Sequence, residues 1–217
     1  MADCCSPSGY RHFFNQKEAR RKLRQYRKKG LDGTAKQMTS YLTQRGMDDQ
    51  TVLEVGGGIG SLQVELLQAG AAKAVNVDIS SGYENVAKQL LAEEGLADKV
   101  ERNVMDFAEQ AEEFDTADTV VMNRVVCCYP FMEKLMTAAS GRSKRFLAAS
   151  FPRDRRAARI VVGFGNFMLR LRKVDFQAYV HSNDEIIAAA AGRGFKVAFD
   201  DQDFIWRTIV FERAAVS

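Results

Sequence analysis

The sequence predicts a doubly wound α/β domain built on a seven-stranded, mostly parallel sheet with an antiparallel last strand. Three observations predict it. Residues Thr51 to Gly60, TVLEVGGGIG, are a β-branched run that breaks into glycines, and Leu62, Val64, Leu66 and Leu67 follow at once, so a strand runs through a tight turn into a helix. Ala74 to Ile79 (AVNVDI) and Ala117 to Asn123 (ADTVVMN) are nearly continuous apolar runs, the pattern of parallel strands covered by helices on both faces. The chain closes with Gly194 to Asp200 and Phe204 to Glu212, two strands so near in sequence that they pair antiparallel.

The elements follow in order. MADCCSPSGYRHFF contains Pro7 and Gly9 and reads as irregular. Asn15 is placed to cap a first helix, on which Ala19, Leu23 and Tyr26 form a narrow apolar stripe amid arginines and lysines, and Gly30 ends it. A second helix, Asp32 to Gln44, carries Met38, Tyr41 and Leu42 into the first strand. Beyond the glycine turn, Gly70 closes the third helix and a strand ends at Asp78. Tyr83 to Glu94 is helical, with Val86, Leu90 and Leu91 inward, and Lys99 to Val104 is the third strand. Ala117 to Asn123 is the fourth and Arg145 to Ser150 the fifth; the helix Asp184 to Gly192 precedes the closing pair.

Domain organisation is expected to be an N-terminal helical cap over 1–50 and one catalytic domain over 51–217, with an insertion at about 151–182. In that insertion Ile160 to Leu171 is apolar and aromatic between two clusters of arginine. At the carboxyl rim of an open sheet, where ligands bind, it would roof a pocket. A basic amphipathic segment can instead lie weakly on a membrane surface.

Size and charge exclude several classes. At 217 residues and 46% hydrophobic, the chain suits a single domain. No apolar run reaches the roughly 18 residues of a membrane span, and Met1 to Gly9 lacks a signal-peptide core, so a cytoplasmic location is expected. The cysteines come as two adjacent pairs, Cys4-Cys5 and Cys127-Cys128, which matches neither a disulfide framework nor a C-x-x-C zinc pattern, and no resident metal is expected. Were the cap to fold over the fourth strand, the two pairs would come together and offer soft ligands to a thiophilic metal or metalloid. The net charge of +3 conceals segregation: residues 1–46 carry 11 basic against 3 acidic groups and residues 142–173 carry 10 against 1. Such blocks suit nucleic acid, anionic lipid or an acidic small molecule, or simply a solvated face.

The glycine turn narrows the ligand. Its spacing is neither the G-x-G-x-x-G of dinucleotide sites nor the phosphate loop G-x-x-x-x-G-K-[ST]. The ordered set EVGGGIG, VNVDIS, NVMDF and VVMNRVVCCYP resembles class I S-adenosylmethionine-dependent methyltransferases from about Thr51 to Glu212, which implies their Rossmann-like fold. The resemblance implies that Gly56, Gly57, Gly58 and Gly60 back onto the methionine part of the cofactor and that Glu54 binds its amino group. Asp78, followed by Ile79, would accept from both ribose hydroxyls, unpaired donors once a nucleoside is bound. Asp106 and Phe107 resemble the pair that holds adenine, and Asn123 lies where the fourth strand opens toward the transferred methyl group. Within this superfamily FFNQKEARRKLRQYRKKG, the Tyr-Pro after strand four and the Tyr-Val-His before the last helix resemble magnesium-protoporphyrin O-methyltransferases and uncharacterised bacterial relatives, although Cys128 stands where those enzymes commonly carry histidine.

The resulting expectation is a methyltransferase that takes S-adenosylmethionine to S-adenosylhomocysteine and methylates a small-molecule acceptor. The sulfonium is already activated, so a base is needed only for an acceptor that binds protonated. The two histidines, His181 first and then His12, and Tyr129 are the candidates for that base or for acceptor binding. The two basic segments keep an RNA methyltransferase open, against which stand the missing N-P-P-[YF] and the lack of any RNA-binding module; a cofactor-binding protein without turnover is the third reading.

Overall fold

The computed structural model describes Tyr10 and residues 13–214. Asn15 caps α1 (Gln16–Lys29), its side chain accepting from the amides of Lys17 and Glu18, and Gly30 ends the helix at a φ of 71°. Asp32 caps α2 (Gly33–Gln44) in the same way, accepting from Ala35 N–H at 3.0 Å. The alternating body follows: β1 (Thr51–Val55), α3 (Ser61–Gln68), β2 (Lys73–Asp78), α4 (Glu84–Glu93), β3 (Val100–Val104), α5 (Phe107–Gln110), β4 (Ala117–Asn123), α6 (Met132–Arg142) and β5 (Ser143–Pro152). Then come α7 (Arg156–Leu171), α8 (Asn183–Ala191), β6 (Phe195–Gln202) and β7 (Trp206–Arg213).

All seven expected strands are present and form one sheet in the order β3-β2-β1-β4-β5-β7-β6. The first five run parallel, and β7 enters antiparallel between β5 and β6. β5 starts two residues earlier and ends two residues later than its apolar run suggested, because β7 pairs with it as far as Pro152. Residues 132–142 form a further helix beyond those expected, α6, with Met132, Leu135, Met136 and Ala139 buried.

The central strands present alternate residues to two apolar layers. Val52, Val121 and Ala148 face the side packed with Ala19 and Leu23 of α1, Met38 and Leu42 of α2, the α3 leucines and Leu90 of α4. Leu53, Val55, Val120 and Leu147 face Phe107, the inner side of α6, and Ile186 of α8. Helices on both faces of a parallel sheet force the near-continuous apolar strands seen in the sequence.

The chain builds outward from β1 to β2 and β3, then returns to place β4 on the other side of β1. That reversal opens a crevice at the carboxyl ends of β1 and β4, since the connections leave in opposite directions there.

The insertion after β5 departs from the pocket roof expected of it. Its helix α7 is held by the buried Ala158 and by two hydrogen bonds between the Asn166 side chain and the backbone of Ala178. Ile160, Phe164, Phe167 and Leu171 face solvent instead, and no residue of 151–182 lines the cavity described below. What reaches the site's rim is the extended stretch after α7: Phe176 stacks on Phe13 at 4.3 Å, and Tyr179 N–H donates to the Cys127 carbonyl at 2.7 Å.

Candidate active site

A cavity of about 270 Å³ occupies the crevice, walled by the loops after β1, β2, β3 and β4 and roofed by the cap. Its floor is the glycine loop. Gly57 packs so tightly that a Cβ there would lie 2.1 Å from Asn76 Nδ2 and 2.7 Å from Glu54 Cδ. Gly58 has a φ of 57°, which turns its N–H onto Asp78 Oδ2 at 2.9 Å. Only glycine permits both the contact and the turn. The loop is also held from below by Arg102, whose side chain is 5% exposed: it pairs with Glu84 at 2.8 Å and donates to the Gly58 carbonyl at 3.0 Å.

Asp78 stands at the tip of β2, almost buried, with Oδ1 accepting Ser80 N–H at 2.8 Å and Oδ2 the Gly58 N–H. Burial pushes its carboxyl above the usual range against the pull of those two amides and of Arg102. Each oxygen retains a second lone-pair direction, so the carboxylate can still accept from a bound diol. Glu54, 3% exposed, lies under the loop and accepts from Asn76 Nδ2 at 3.2 Å. Burial pushes its carboxyl up to about 8, and Arg102 opposes the shift without cancelling it.

Asp106 caps α5, with Oδ1 accepting Ala108 N–H at 3.0 Å and Oδ2 accepting the Tyr129 hydroxyl at 3.1 Å; Phe107 beside it is buried, and both line the cavity. Asn123 ends β4, where its Oδ1 accepts from the hydroxyls of Thr34 at 2.7 Å and Ser150 at 2.8 Å. Asp32 joins that network from the cap; burial acts against its charge, but the Ala35 amide and Arg124 hold its carboxyl below the usual range. Arg124 itself sits at a φ of 58° with its guanidinium 4.5 Å from the Trp206 ring, a left-handed backbone of the kind that persists where surrounding contacts fix it.

The roof comes from the cap. Tyr10 donates to the Cys128 carbonyl at 2.5 Å, Ser80 donates to the Phe14 carbonyl at 2.7 Å, and Lys22 of α1 lies 5.5 Å from the Tyr83 ring. The cap approaches so closely that a Cβ on Gly82 would lie 2.3 Å from the Phe14 carbonyl oxygen.

The expected site residues therefore gather unevenly. Glu54, Gly56, Gly57, Gly58, Asp78, Ile79, Asp106, Phe107, Asn123 and Tyr129 all line the one cavity. Gly60 does not; it caps α3 in a left-handed conformation and packs against Gln63. His181 is outside the lining as well: its Nε2 lies 2.9 Å from the Tyr129 carbonyl and its ring stacks on Tyr179. His12, Cys4 and Cys5 lie outside the described residues. Cys127 and Cys128 hold their sulfurs 3.8 Å apart, and the hydrogen bond shared with Cys127, with burial, raises the Cys128 thiol well above its usual range. No group of three or more metal-ligating side chains occurs among the described residues.

Lining residues that the sequence did not single out are Tyr83, Lys22, Asp32 and Arg124. Tyr83 is 1% exposed, and its hydroxyl has no hydrogen-bond partner among the described residues. A buried, unsatisfied donor on a cavity wall is costly unless a ligand completes it. With the glycine cradle and the carboxylates at successive strand ends, this donor set fits a nucleoside that carries a cationic tail.

Residues 52–149 match the model of a family described as a methyltransferase domain. None of the curated proteins compared by sequence matches the chain. Among solved structures, magnesium protoporphyrin IX methyltransferase from Synechocystis PCC 6803, with bound S-adenosylhomocysteine, superposes with a TM-score of 0.73 at 21% identity, covering 94% of this chain and 98% of that one. A putative sarcosine dimethylglycine methyltransferase from Galdieria sulphuraria gives 0.67 at 14% identity over 83% and 85% of the two chains. A putative RNA methyltransferase from Pyrococcus horikoshii gives 0.57 at 16% over 84% and 83%. Residues 52–149 thus resemble a methyltransferase domain, and the chain shares the Rossmann-like fold of these solved methyltransferases.

Proposed function

We propose that the protein transfers a methyl group from S-adenosylmethionine to a small-molecule acceptor held between the glycine loop and the cap. The observation that carries this reading is the glycine cradle over Glu54 with Asp78 and Asp106 at the next two strand ends, all facing one cavity. When bound, the cofactor supplies a methyl group on a sulfonium, which passes to the acceptor while the electron pair of the broken S–CH3 bond stays on sulfur, leaving S-adenosylhomocysteine.

Asp78 holds the ribose hydroxyls, and Asp106 with Phe107 holds the adenine. Glu54 and the loop amides hold the charged amino acid tail. Asn123, fixed by Thr34 and Ser150, sets the floor on the acceptor side. Tyr129 presents its hydroxyl there, and its donation to Asp106 couples acceptor and adenine subsites. His181 acts on the acceptor side through the Tyr129 backbone that it contacts. The chain's main work is alignment and exclusion of water, which by themselves supply several kcal/mol.

A roof formed by Tyr10, Phe14 and α1 favours a small acceptor over a polymer, which would need a continuous open groove. The test is release of S-adenosylhomocysteine in the presence of a panel of hydroxy-, carboxy-, amino- and thiol-bearing small molecules, with RNA as the comparison. Turnover with RNA and none of the small molecules would replace the proposal. Binding of the cofactor with no release under any condition would favour a protein that binds without turnover.

A further inference from the structure

Helix α7 leaves a large apolar stripe unpartnered. Ile160, Phe164, Phe167 and Leu171 recur at intervals of four, three and four residues, so they form one narrow line along the helix. They are 71%, 65%, 55% and 62% exposed, whereas the opposite side is docked through Ala158 and Asn166. A contiguous ridge of this kind differs from the scattered apolar residues of an ordinary surface. Two more exposed phenylalanines, Phe131 after β4 and Phe204 in the β6–β7 turn, lie at the same carboxyl rim of the sheet. Arg153 N–H and guanidinium bond to Ile205 and Asp203, tying that turn to the start of α7.

Charge borders the stripe. Arg156, Arg159 and Arg170 run along one side of it, Arg155 stands at its start, and Arg172 and Lys173 at its end. Of these six exposed cations only Arg159 has an ion-pair partner among the described residues, Asp154 at 2.6 Å. Two copies of this chain meeting face to face would bring like charges together. An apolar helical face edged with arginine complements an anionic bilayer, in which aromatic and aliphatic side chains enter the acyl boundary while guanidinium groups stay at headgroup height. At 16 residues α7 lies along such a surface, and no helix among the described residues is long and apolar enough to cross a membrane.

We infer that α7 is an interfacial helix that seats the protein on an anionic lipid surface, with the carboxyl rim of the sheet turned toward the headgroups. This inference stands apart from methyl transfer, because it uses none of the cavity residues. The stripe supplies the insertion and the unpaired arginines select the charge of the lipid.

The experiment is flotation of the full chain with vesicles of phosphatidylcholine alone and of phosphatidylcholine mixed with phosphatidylglycerol. The wild type is expected to float with the mixed vesicles and far less with the neutral ones, and to lose binding as salt is raised. The double variant Phe164→Ser/Phe167→Ser should bind at least tenfold more weakly, since each buried phenylalanine is worth about a factor of ten or more. Arg155→Glu/Arg156→Glu should weaken binding to the anionic vesicles by about fivefold or more for each charge changed. All four positions are exposed, and an unchanged circular dichroism melt confirms the fold; if the serine pair fails that control, the charge pair decides alone. A wild type that remains unbound with both vesicle types overturns the inference, as does binding unaltered by the variants. A dimer in sedimentation velocity that the serine pair abolishes would assign the stripe to self-association and overturn it equally.

Discussion

Asp78 and Gly58 are joined by a hydrogen bond of 2.9 Å from the glycine amide to Oδ2, so the second strand holds the loop that follows the first. The floor of the cavity is thus set by a contact between residues 20 apart in sequence, with Arg102 of β3 adding a third anchor at the Gly58 carbonyl. Such a site is preorganised by rigid elements and depends little on loop ordering.

Gly57→Ala tests the floor. The added methyl meets Asn76 and Glu54 at 2.1 and 2.7 Å, both of them in a packed layer beneath the loop. Overpacking of this kind costs about 1–3 kcal/mol, which for a chain of this size lowers Tm by roughly 2–12 °C. Differential scanning fluorimetry should show that fall together with loss of S-adenosylhomocysteine binding. Gly163→Ala in α7 is the counterpart: nothing lies within 4 Å of its Cβ position and it is helical, so Tm should hold or rise.

Glu54 should make stability depend on pH. Its folded-state carboxyl stands near 8 against an ordinary 4.5, so the unfolded chain releases this proton first. Stability from this group is complete below the unfolded value and declines as pH rises through the folded one. Glu54→Gln should therefore flatten the decline in Tm between about pH 4.5 and 8; superimposable profiles for the two proteins would refute the assignment. A cation bound against Glu54 draws its carboxyl down again. Calorimetry of S-adenosylmethionine near pH 7 in buffers of different ionisation enthalpy should accordingly show proton release in the wild type and less in Glu54→Gln.

His181 and Tyr129 separate positioning from contact. His181→Ala removes a bond to the Tyr129 carbonyl at the rim, so it should lower Tm and leave the Kd for S-adenosylhomocysteine within about threefold. Tyr129→Phe removes the hydroxyl from Asp106 inside the cavity and should weaken that Kd by roughly three- to tenfold. The reverse order of effects would move His181 into the site.

The strands and the glycine loop were readable because their physical requirements are local. β-Branched runs, an acid at a strand tip and clustered glycines each leave a contiguous trace, and so Glu54, Gly57, Asp78 and Asp106 were found in one cavity. Helix α6 also leaves a trace, since Met132, Leu135, Met136 and Ala139 keep helical spacing, but it lacks a side-chain N-cap to mark its start. Arg102 and Tyr83 could not be found this way. Arg102 works from an exposed-looking alternation on β3, and Tyr83 acquires its role only when Lys22 and Phe14 of the cap are folded against it. The aromatic run 160–171 was legible as a basic amphipathic segment, and the docking of Asn166 on Ala178 decides which side of it is packed.

Isothermal titration with S-adenosylhomocysteine, comparing the wild type with Asp78→Ala, tests the central claim most directly. A single site is predicted in the wild type, weakened at least tenfold in the variant by loss of the charged acceptor. No heat with the wild type, or equal affinity in the two proteins, would contradict it.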